Sequence, residues 1–153
     1  MAELHIERVF DAPRELVWKA FTDPDQISQW FGPVGYSVPR DTVDMDVRVG
    51  GHERFMMVAD NPDYPPGGPV NATFTEVLEP ELLVAREHLE GEMREFFGSD
   101  HIDMRLELHD EGDGRTRLVL HQGPYKDEIS SDAQDGWKSS FTKLDALLAR
   151  SAA

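Results

Sequence analysis

Cysteine is absent from this 153-residue chain, and basic residues are scarce. Without cysteine the protein has no disulfide bonds, no thiolate metal ligands and no thiol nucleophile. Its 30 acidic residues outnumber 15 lysines and arginines, which gives a formal net charge of −15. Such a surface repels the phosphates of nucleic acids and of anionic lipids, and no local cluster of basic residues reverses the sign. We therefore expect no nucleic-acid partner.

Long apolar runs are also missing. No segment approaches the roughly 20 apolar residues that cross a bilayer as a helix. Residues 1–10 lack the basic flank and the apolar stretch of a signal peptide. We expect a cytoplasmic protein that does not insert into membranes.

The motifs of metal, phosphate and nucleophile sites are absent as well. The six histidines form no HExxH motif and no compact group at metal-ligand spacing. No glycine-rich phosphate loop occurs, and no serine stands in a strand–turn–helix elbow. The sequence thus predicts no metal, no cofactor and no catalytic residue. A charged side chain becomes a catalytic candidate only if it points into a buried cavity, a condition open to Arg8, Arg48, Arg54, Glu76, Arg86 and His88.

What is present is the pattern of one α+β domain that spans residues 1–153. The hydrophobic share of 39% is enough for a single core. Residues 4–10 alternate as a half-buried strand does. Two short helices follow, the first opened by Pro13 and the second by Asp23-Pro24, before Gly32-Pro33 ends the helical segment.

Alternation of apolar and polar residues predicts most of the remaining chain as strands. Gly50-Gly51 is typical of a hairpin turn, and residues 61–69, rich in proline and glycine, are typical of a loop at a rim. Residues 90–100 stay ambiguous, because Met93, Phe96 and Phe97 fit a strand end, a lid over an opening or a protein-contact patch. The predicted strands are 43–49, 55–59, 70–78, 82–89, 102–108 and 116–121.

A long amphipathic helix closes the chain. Ser131 and Gln134 form a capping box, and the helix is predicted to extend to about Ala149. Because one helix cannot cover a flat sheet of six or seven strands, we expect a curved antiparallel sheet that wraps around it. Its apolar stripe consists of Ala133, Trp137, Phe141, Leu144, Leu147 and Leu148.

This architecture predicts an apolar cavity between the sheet and the helix. Methionine and phenylalanine side chains suit an adaptable lining. Trp30-Phe31 is expected at the mouth, whereas Trp137 fits either packed core or cavity wall. The predicted ligand-binding residues are Phe21, Trp30, Phe31, Met45, Phe55, Met57, Phe74, Met104, Trp137 and Phe141.

Several short motifs together resemble a known family. They are Asp11-Ala12-Pro13, Val17-Trp18-Lys19-Ala20, Asp23-Pro24, Trp30-Phe31-Gly32-Pro33, Asp46-Val47-Arg48-Val49-Gly50-Gly51 and Gly136-Trp137. Over essentially its whole length the chain resembles the START-like SRPBCC superfamily, and within it the homologues of the activator of the ninety-kilodalton heat-shock chaperone's ATPase. The resemblance implies a helix-grip fold with one deep hydrophobic pocket. Most members bind or carry small apolar molecules, and a minority are cyclases, aromatases or hydrolases.

Three functions are compatible with these observations. The preferred one is binding or carriage of a small hydrophobic molecule in the central cavity. The second is a protein-interaction module, such as a co-chaperone-like ATPase activator, which an exposed apolar patch at Met93, Phe96 and Phe97 would favour. The third and least supported is an enzyme for a cyclic or aromatic substrate, which an inward ionisable group with a shifted pKa would favour. The ligand, and the choice between monomer and homodimer, stay open.

Overall fold

A curved antiparallel sheet wraps around a long C-terminal helix in the computed structural model, which describes residues 2–152. The strands are β1 (Ala2–Phe10), β2 (Tyr36–Ser37), β3 (Asp44–Met45), β4 (His52–Ala59), β5 (Gly68–Leu78), β6 (Leu82–His88), β7 (His101–Gly112) and β8 (Arg115–Tyr125). The α-helices are α1 (Arg14–Thr22), α2 (Pro24–Trp30), α3 (Gly91–Phe97) and α4 (Asp127–Ala152). This is the predicted α+β helix-grip fold.

The sheet is built from consecutive hairpins. Its order is β1–β8–β7–β6–β5–β4, and the two-residue strands β2 and β3 both pair with β4 at the outer edge. The strand that begins the chain therefore pairs with the strand that precedes α4. The helix α4 lies in the concave side, where it contacts β1 at one edge of the sheet and, through the hydrogen bond that Lys143 donates to the carbonyl oxygen of Tyr36, β2 at the other.

The core lies between the concave face of the sheet, α1 and the C-terminal half of α4. Phe10 of β1 packs edge-on against Phe141 of α4, with ring centroids 5.3 Å apart. Leu144 and Leu148 are buried one and two turns further along α4. Burial of these apolar side chains is the main stabilising contribution to the fold.

The strand prediction for residues 43–49 is wrong beyond Met45. The chain already turns at Asp46, whose carbonyl oxygen accepts from the backbone N–H of His52 at 3.1 Å. Val49, predicted as an inward strand residue, is 62% exposed. The turn is so tight that a Cβ at Gly51 would lie 1.9 Å from the carbonyl oxygen of Asp46. The alternating pattern here reflects a turn that starts four residues before the glycine pair.

The predicted start of the final helix is also wrong. α4 begins at Asp127, and the backbone N–H groups of Ile129 and Ser130 donate to the carbonyl oxygen of Lys126 at 3.0 and 3.1 Å. Ser131 and Gln134 therefore lie inside the helix and do not cap it. Acidic residues in the first turn, Asp127 and Glu128, favour the earlier start because they complement the positive end of the helix dipole.

No helix among residues 2–152 is long and apolar enough to cross a lipid bilayer.

Candidate functional site

A cavity of about 460 Å³ lies between the N-terminal half of α4 and the sheet. The helix contributes Ile129, Ala133, Gly136 and Trp137, which recur at three- and four-residue spacing and so share one face. An inner chamber of about 40 Å³ continues from this cavity towards Phe21 of α1. The C-terminal half of α4 packs directly on the core, and its N-terminal half leaves the cavity open.

The mouth of the cavity is formed by three segments from different parts of the chain. They are Phe31-Gly32-Pro33 after α2, residues 66–69, of which the last two begin β5, and α3. Of the loop predicted over residues 61–69, residues 66–69 line the cavity, and Gly68 and Pro69 belong to β5 and not to the loop.

The ambiguous segment 90–100 is resolved as a short helix at this mouth. Met93, Phe96 and Phe97 of α3 all line the cavity; Met93 and Phe97 also pack against the core, whereas Phe96 is 59% exposed. The helix ends at Gly98, which has a φ of +74° and donates its N–H to the carbonyl oxygen of Arg94 at 2.9 Å. Glycine adopts this left-handed conformation without strain, which allows α3 to stop sharply at the rim.

Two glutamates project from the sheet into the cavity. Glu53 on β4 lies opposite Ala72 on β5, and Ala72 lies opposite Glu87 on β6. The three residues form one row across neighbouring strands, and two strand spacings amount to about 10 Å. Glu53 lines the inner chamber, and Glu87 lines both chambers.

Both carboxyl groups are held without a partner. Among residues 2–152, neither Glu53 nor Glu87 makes a side-chain hydrogen bond or an ion pair with another residue. Burial, reinforced by the nearby Glu87, raises the pKa of Glu53 to about 8. Burial alone raises the pKa of Glu87 to about 7. Near neutral pH the pair is therefore partly protonated and can donate a proton, accept one or receive a positively charged group.

Three further polar side chains meet this part of the wall. The indole Nε1–H of Trp137 donates to Oε1 of Gln122 at 2.6 Å. Because an indole can only donate, this bond leaves the NH₂ of the Gln122 amide for a ligand. Tyr125 is buried, and burial together with Glu87 raises the pKa of its hydroxyl, which stays protonated at neutral pH. The site thus combines two acidic groups with neutral hydrogen-bond donors.

The structure brings six of the ten predicted ligand-binding residues to the cavity. Trp137 lines both chambers and is 9% exposed, so its ring is a cavity wall as well as a packed side chain. The six are Phe21, Phe31, Phe55, Met57, Met104 and Trp137.

The other four predicted residues lie away from the cavity. Trp30 is fully buried, and its Nε1–H donates to the carbonyl oxygen of Ala20 at 2.8 Å. Phe74 and Phe141 belong to the packed core, and Met45 is half-buried against it. At the expected mouth, Phe31 alone of the Trp30-Phe31 pair reaches the cavity.

None of the six charged residues considered from the sequence lines the cavity. Arg86 pairs with Asp103 on the outer face of the sheet at 2.7 Å, and Arg8 pairs with Asp145 of α4. His88 is exposed and shares a hydrogen bond of 2.9 Å with Thr73. The six are Arg8, Arg48, Arg54, Glu76, Arg86 and His88.

Glu53 and Glu87 were missed from the sequence, although a signal was present. Glu53 shares a period-two face with Phe55 and Met57, and Glu87 shares one with Ala85. A charge at an inward position of an alternating strand indicates a buried ionisable group. Within residues 2–152, no group of histidine, aspartate or glutamate is arranged to hold a metal ion.

Solved structures with the same fold come from several bacteria. The AHSA1 protein SPO3351 of Silicibacter pomeroyi is 27% identical with a TM-score of 0.78, and the match covers 98% of this chain and 99% of that one. Protein CV1439 of Chromobacterium violaceum is 23% identical with a TM-score of 0.80, covering 97% and 98%. Protein NE0264 of Nitrosomonas europaea is 22% identical with a TM-score of 0.77, covering 98% and 96%. The last two likenesses concern the fold alone.

No curated protein matches the sequence. The model of the family described as Activator of Hsp90 ATPase homolog 1-like protein matches residues 11–149, which is nearly the whole chain. The match agrees with the motifs at both ends of the sequence and with the helix-grip fold. The protein therefore belongs to the Activator of Hsp90 ATPase homolog 1-like family.

Proposed function

We propose that this protein binds a small, largely apolar molecule in the cavity between α4 and the sheet. The observation that carries the proposal is the cavity itself. Its volume of about 460 Å³ falls in the range of about 300–1,000 Å³ that is typical of small-molecule sites. Its walls are mainly apolar, with a few polar groups that converge on one side, as in sites where burial supplies affinity and polar contacts fix orientation.

The six lining residues predicted from the sequence are the proposed apolar contacts. The rings of Phe31 and Trp137, both in the cavity wall, pack edge-to-face with their centroids 5.6 Å apart. Met57 and Met93 add flexible thioether side chains at the wall and the rim. Methionine adapts its shape to different ligands, so we expect recognition by fit and burial for the apolar part of the molecule.

A cavity-filling substitution tests the proposal. In Ala133→Phe a ring occupies the space beside Trp137, and we expect loss of any bound molecule with little loss of stability, because the ring enters an existing cavity. Native mass spectrometry of gently purified wild-type protein should show excess mass of bound compound that this variant lacks.

Ala146→Phe is the matched control, since Ala146 lies on the same helix but is exposed. It should keep the bound molecule. If both the wild type and the control are free of ligand, and an apolar ligand panel produces no thermal shift in either, the binding proposal is contradicted.

The protein-interaction alternative receives less support. This alternative predicts an exposed apolar patch made of Met93, Phe96 and Phe97, but of the three only Phe96 is exposed. All three side chains line the cavity, and Met93 and Phe97 also pack against the core. We therefore place α3 with the ligand site and not with a partner surface.

An enzymatic role is the second candidate, and one observation favours it. Glu53 and Glu87 are inward carboxyl groups whose raised pKa values, about 8 and about 7, suit a general acid or base at neutral pH. A comparison of the compounds released from the wild type and from Glu87→Gln separates the two roles. A carrier with a neutral ligand should release the same compound from both, whereas an enzyme should release product from the wild type and substrate from the inactive variant.

A further inference from the structure

We infer that the cavity selects molecules that carry a positively charged nitrogen on an apolar body, and that the carboxylates of Glu53 and Glu87 receive this cation. The inference rests on the proposed function, because it names the chemical class of the ligand for the same site.

The first support is the placement of the two carboxyl groups. Both belong to one row of the concave face, and the residue between them is Ala72, whose small methyl group also lines the inner chamber. Glu53 lines the inner chamber, and Glu87 lies where the two chambers meet. A ligand group at the junction of the two chambers can therefore contact Glu87, with Glu53 in the adjoining inner chamber.

The second support is the lack of a counter-charge. Carboxylates on the outer face have basic partners, such as Asp103 with Arg86 and Glu107 with Arg105. The titratable residues that line the two chambers are Tyr36, Glu53, Glu87, Tyr125 and Asp132, and no lysine, arginine or histidine of residues 2–152 is among them. Glu53 and Glu87 are half-buried, and an ionised carboxylate without a partner in such a place is unfavourable, so binding of a proton or of a ligand cation is favoured.

The third support is the aromatic wall beside these carboxyl groups. Phe31, Phe97, Tyr125 and Trp137 all line the main chamber. Aromatic rings attract an ammonium group through their quadrupole, most strongly where water is excluded. The net charge of −15 also raises the local concentration of cations around the protein.

Proton linkage follows from this arrangement. With a pKa of about 8 for Glu53 and about 7 for Glu87, both groups are largely neutral at pH 6 and mostly ionised at pH 9. A permanent cation should displace the remaining protons and bind more tightly as pH rises. Glu87 alone is about one-tenth ionised at pH 6, so its titration weakens the apparent affinity there about tenfold.

Phenyltrimethylammonium and tert-butylbenzene form a matched pair of probes, since they have the same shape and differ in one charge. Calorimetric titration of the wild type at pH 8 should show the cation binding at least about tenfold more tightly than the neutral probe. The indole N–H resonance of Trp137 should shift with either probe, because this ring is in the cavity wall. Those of Trp18 and Trp30, which do not line it, should stay in place.

Conservative variants test the role of the carboxyl groups. Glu53→Gln and Glu87→Gln should each weaken the cation about tenfold or more, abolish part of its pH dependence and leave the neutral probe unchanged. Glu76→Gln, a substitution at an exposed position of β5, should change neither the affinity for the cation nor the affinity for the neutral probe. Equal affinity for both probes, or unchanged cation affinity in both cavity variants, would overturn the inference while the apolar site stands. If neither probe binds, the inference is overturned, and the proposed function fails as well when native mass spectrometry finds no bound compound and the apolar ligand panel produces no thermal shift.

Discussion

The position of Glu53 is unfavourable for the folded state once its carboxyl group is ionised. Its pKa rises from an ordinary 4.5 to about 8 on folding, so the folded protein holds this proton over a pH range in which the unfolded chain has lost it. Where the folded state binds more protons, the free energy of unfolding falls as pH rises. Titration of Glu53 therefore lowers the free energy of unfolding progressively between about pH 4.5 and pH 8.

This linkage predicts a stabilising substitution. Glu53→Gln removes the charge, and the rise in pKa from 4.5 to about 8 corresponds to roughly 5 kcal/mol at pH 9 and to less than about 1 kcal/mol at pH 5. We expect the variant to raise the free energy of unfolding by up to these amounts. Urea denaturation at the two pH values measures both numbers.

The exposed Glu76 again supplies the control, because surface substitutions change stability by about 0.5 kcal/mol or less. An effect of Glu53→Gln that is the same at pH 5 and pH 9 would show that ionisation of this residue is not what destabilises the fold. Destabilising charges in a cavity are typical of functional sites, where activity requires groups that lower the stability of the fold.

At the scale of elements, α4 performs two tasks along its length. Phe141 and the leucines after it are buried in the core, whereas Ala133 and Trp137 face the cavity. Trp137 is therefore both packed core and cavity wall, because its ring contacts Phe31 and Phe141 and also lines the cavity.

Truncation of the two aromatic residues should separate these tasks. Phe141→Ala leaves a void in packed core and should reduce the free energy of unfolding by about 4 kcal/mol. Trp137→Ala enlarges an existing cavity and should reduce it by about 2 kcal/mol, part of which is the lost hydrogen bond to Gln122. Chemical denaturation of both variants at one pH gives the comparison. Equal losses would mean that Trp137 is ordinary core.

Helices and strands were predicted correctly where neighbouring residues alone determine them. The Asp23 cap is confirmed, since its carboxylate accepts from the N–H of Asp25 at 2.8 Å, and the strands around Phe74 and Leu106 follow from their alternation. The failures at residues 46–49 and at Ser131 have one cause. Alternation of apolar and polar residues also occurs in turns, and a capping pattern also occurs inside helices. Contacts with residues far away in the sequence decide which structure such a segment adopts.

At the scale of the whole molecule, the candidate site depends on curvature. Three residues that were wrongly predicted to line the cavity lie where the helices contact the sheet directly. They are Trp30, Phe74 and Phe141. The concave face has the same apolar pattern at both ends, so periodicity alone does not distinguish packed core from cavity lining. The position of α4 relative to the sheet makes that distinction.

The sequence by itself determined the fold class, the six long strands, the closing helix, the negative charge and the apolar character of the concave face. These properties follow from local periodicity and composition, which act on neighbouring residues. Tertiary structure alone decided that α3 borders the mouth, that Trp30 is buried, and that Glu53 and Glu87 share one row. The reason is that strand pairing and sheet curvature join residues that are far apart along the chain, and burial then changes the chemistry of two ordinary carboxyl groups.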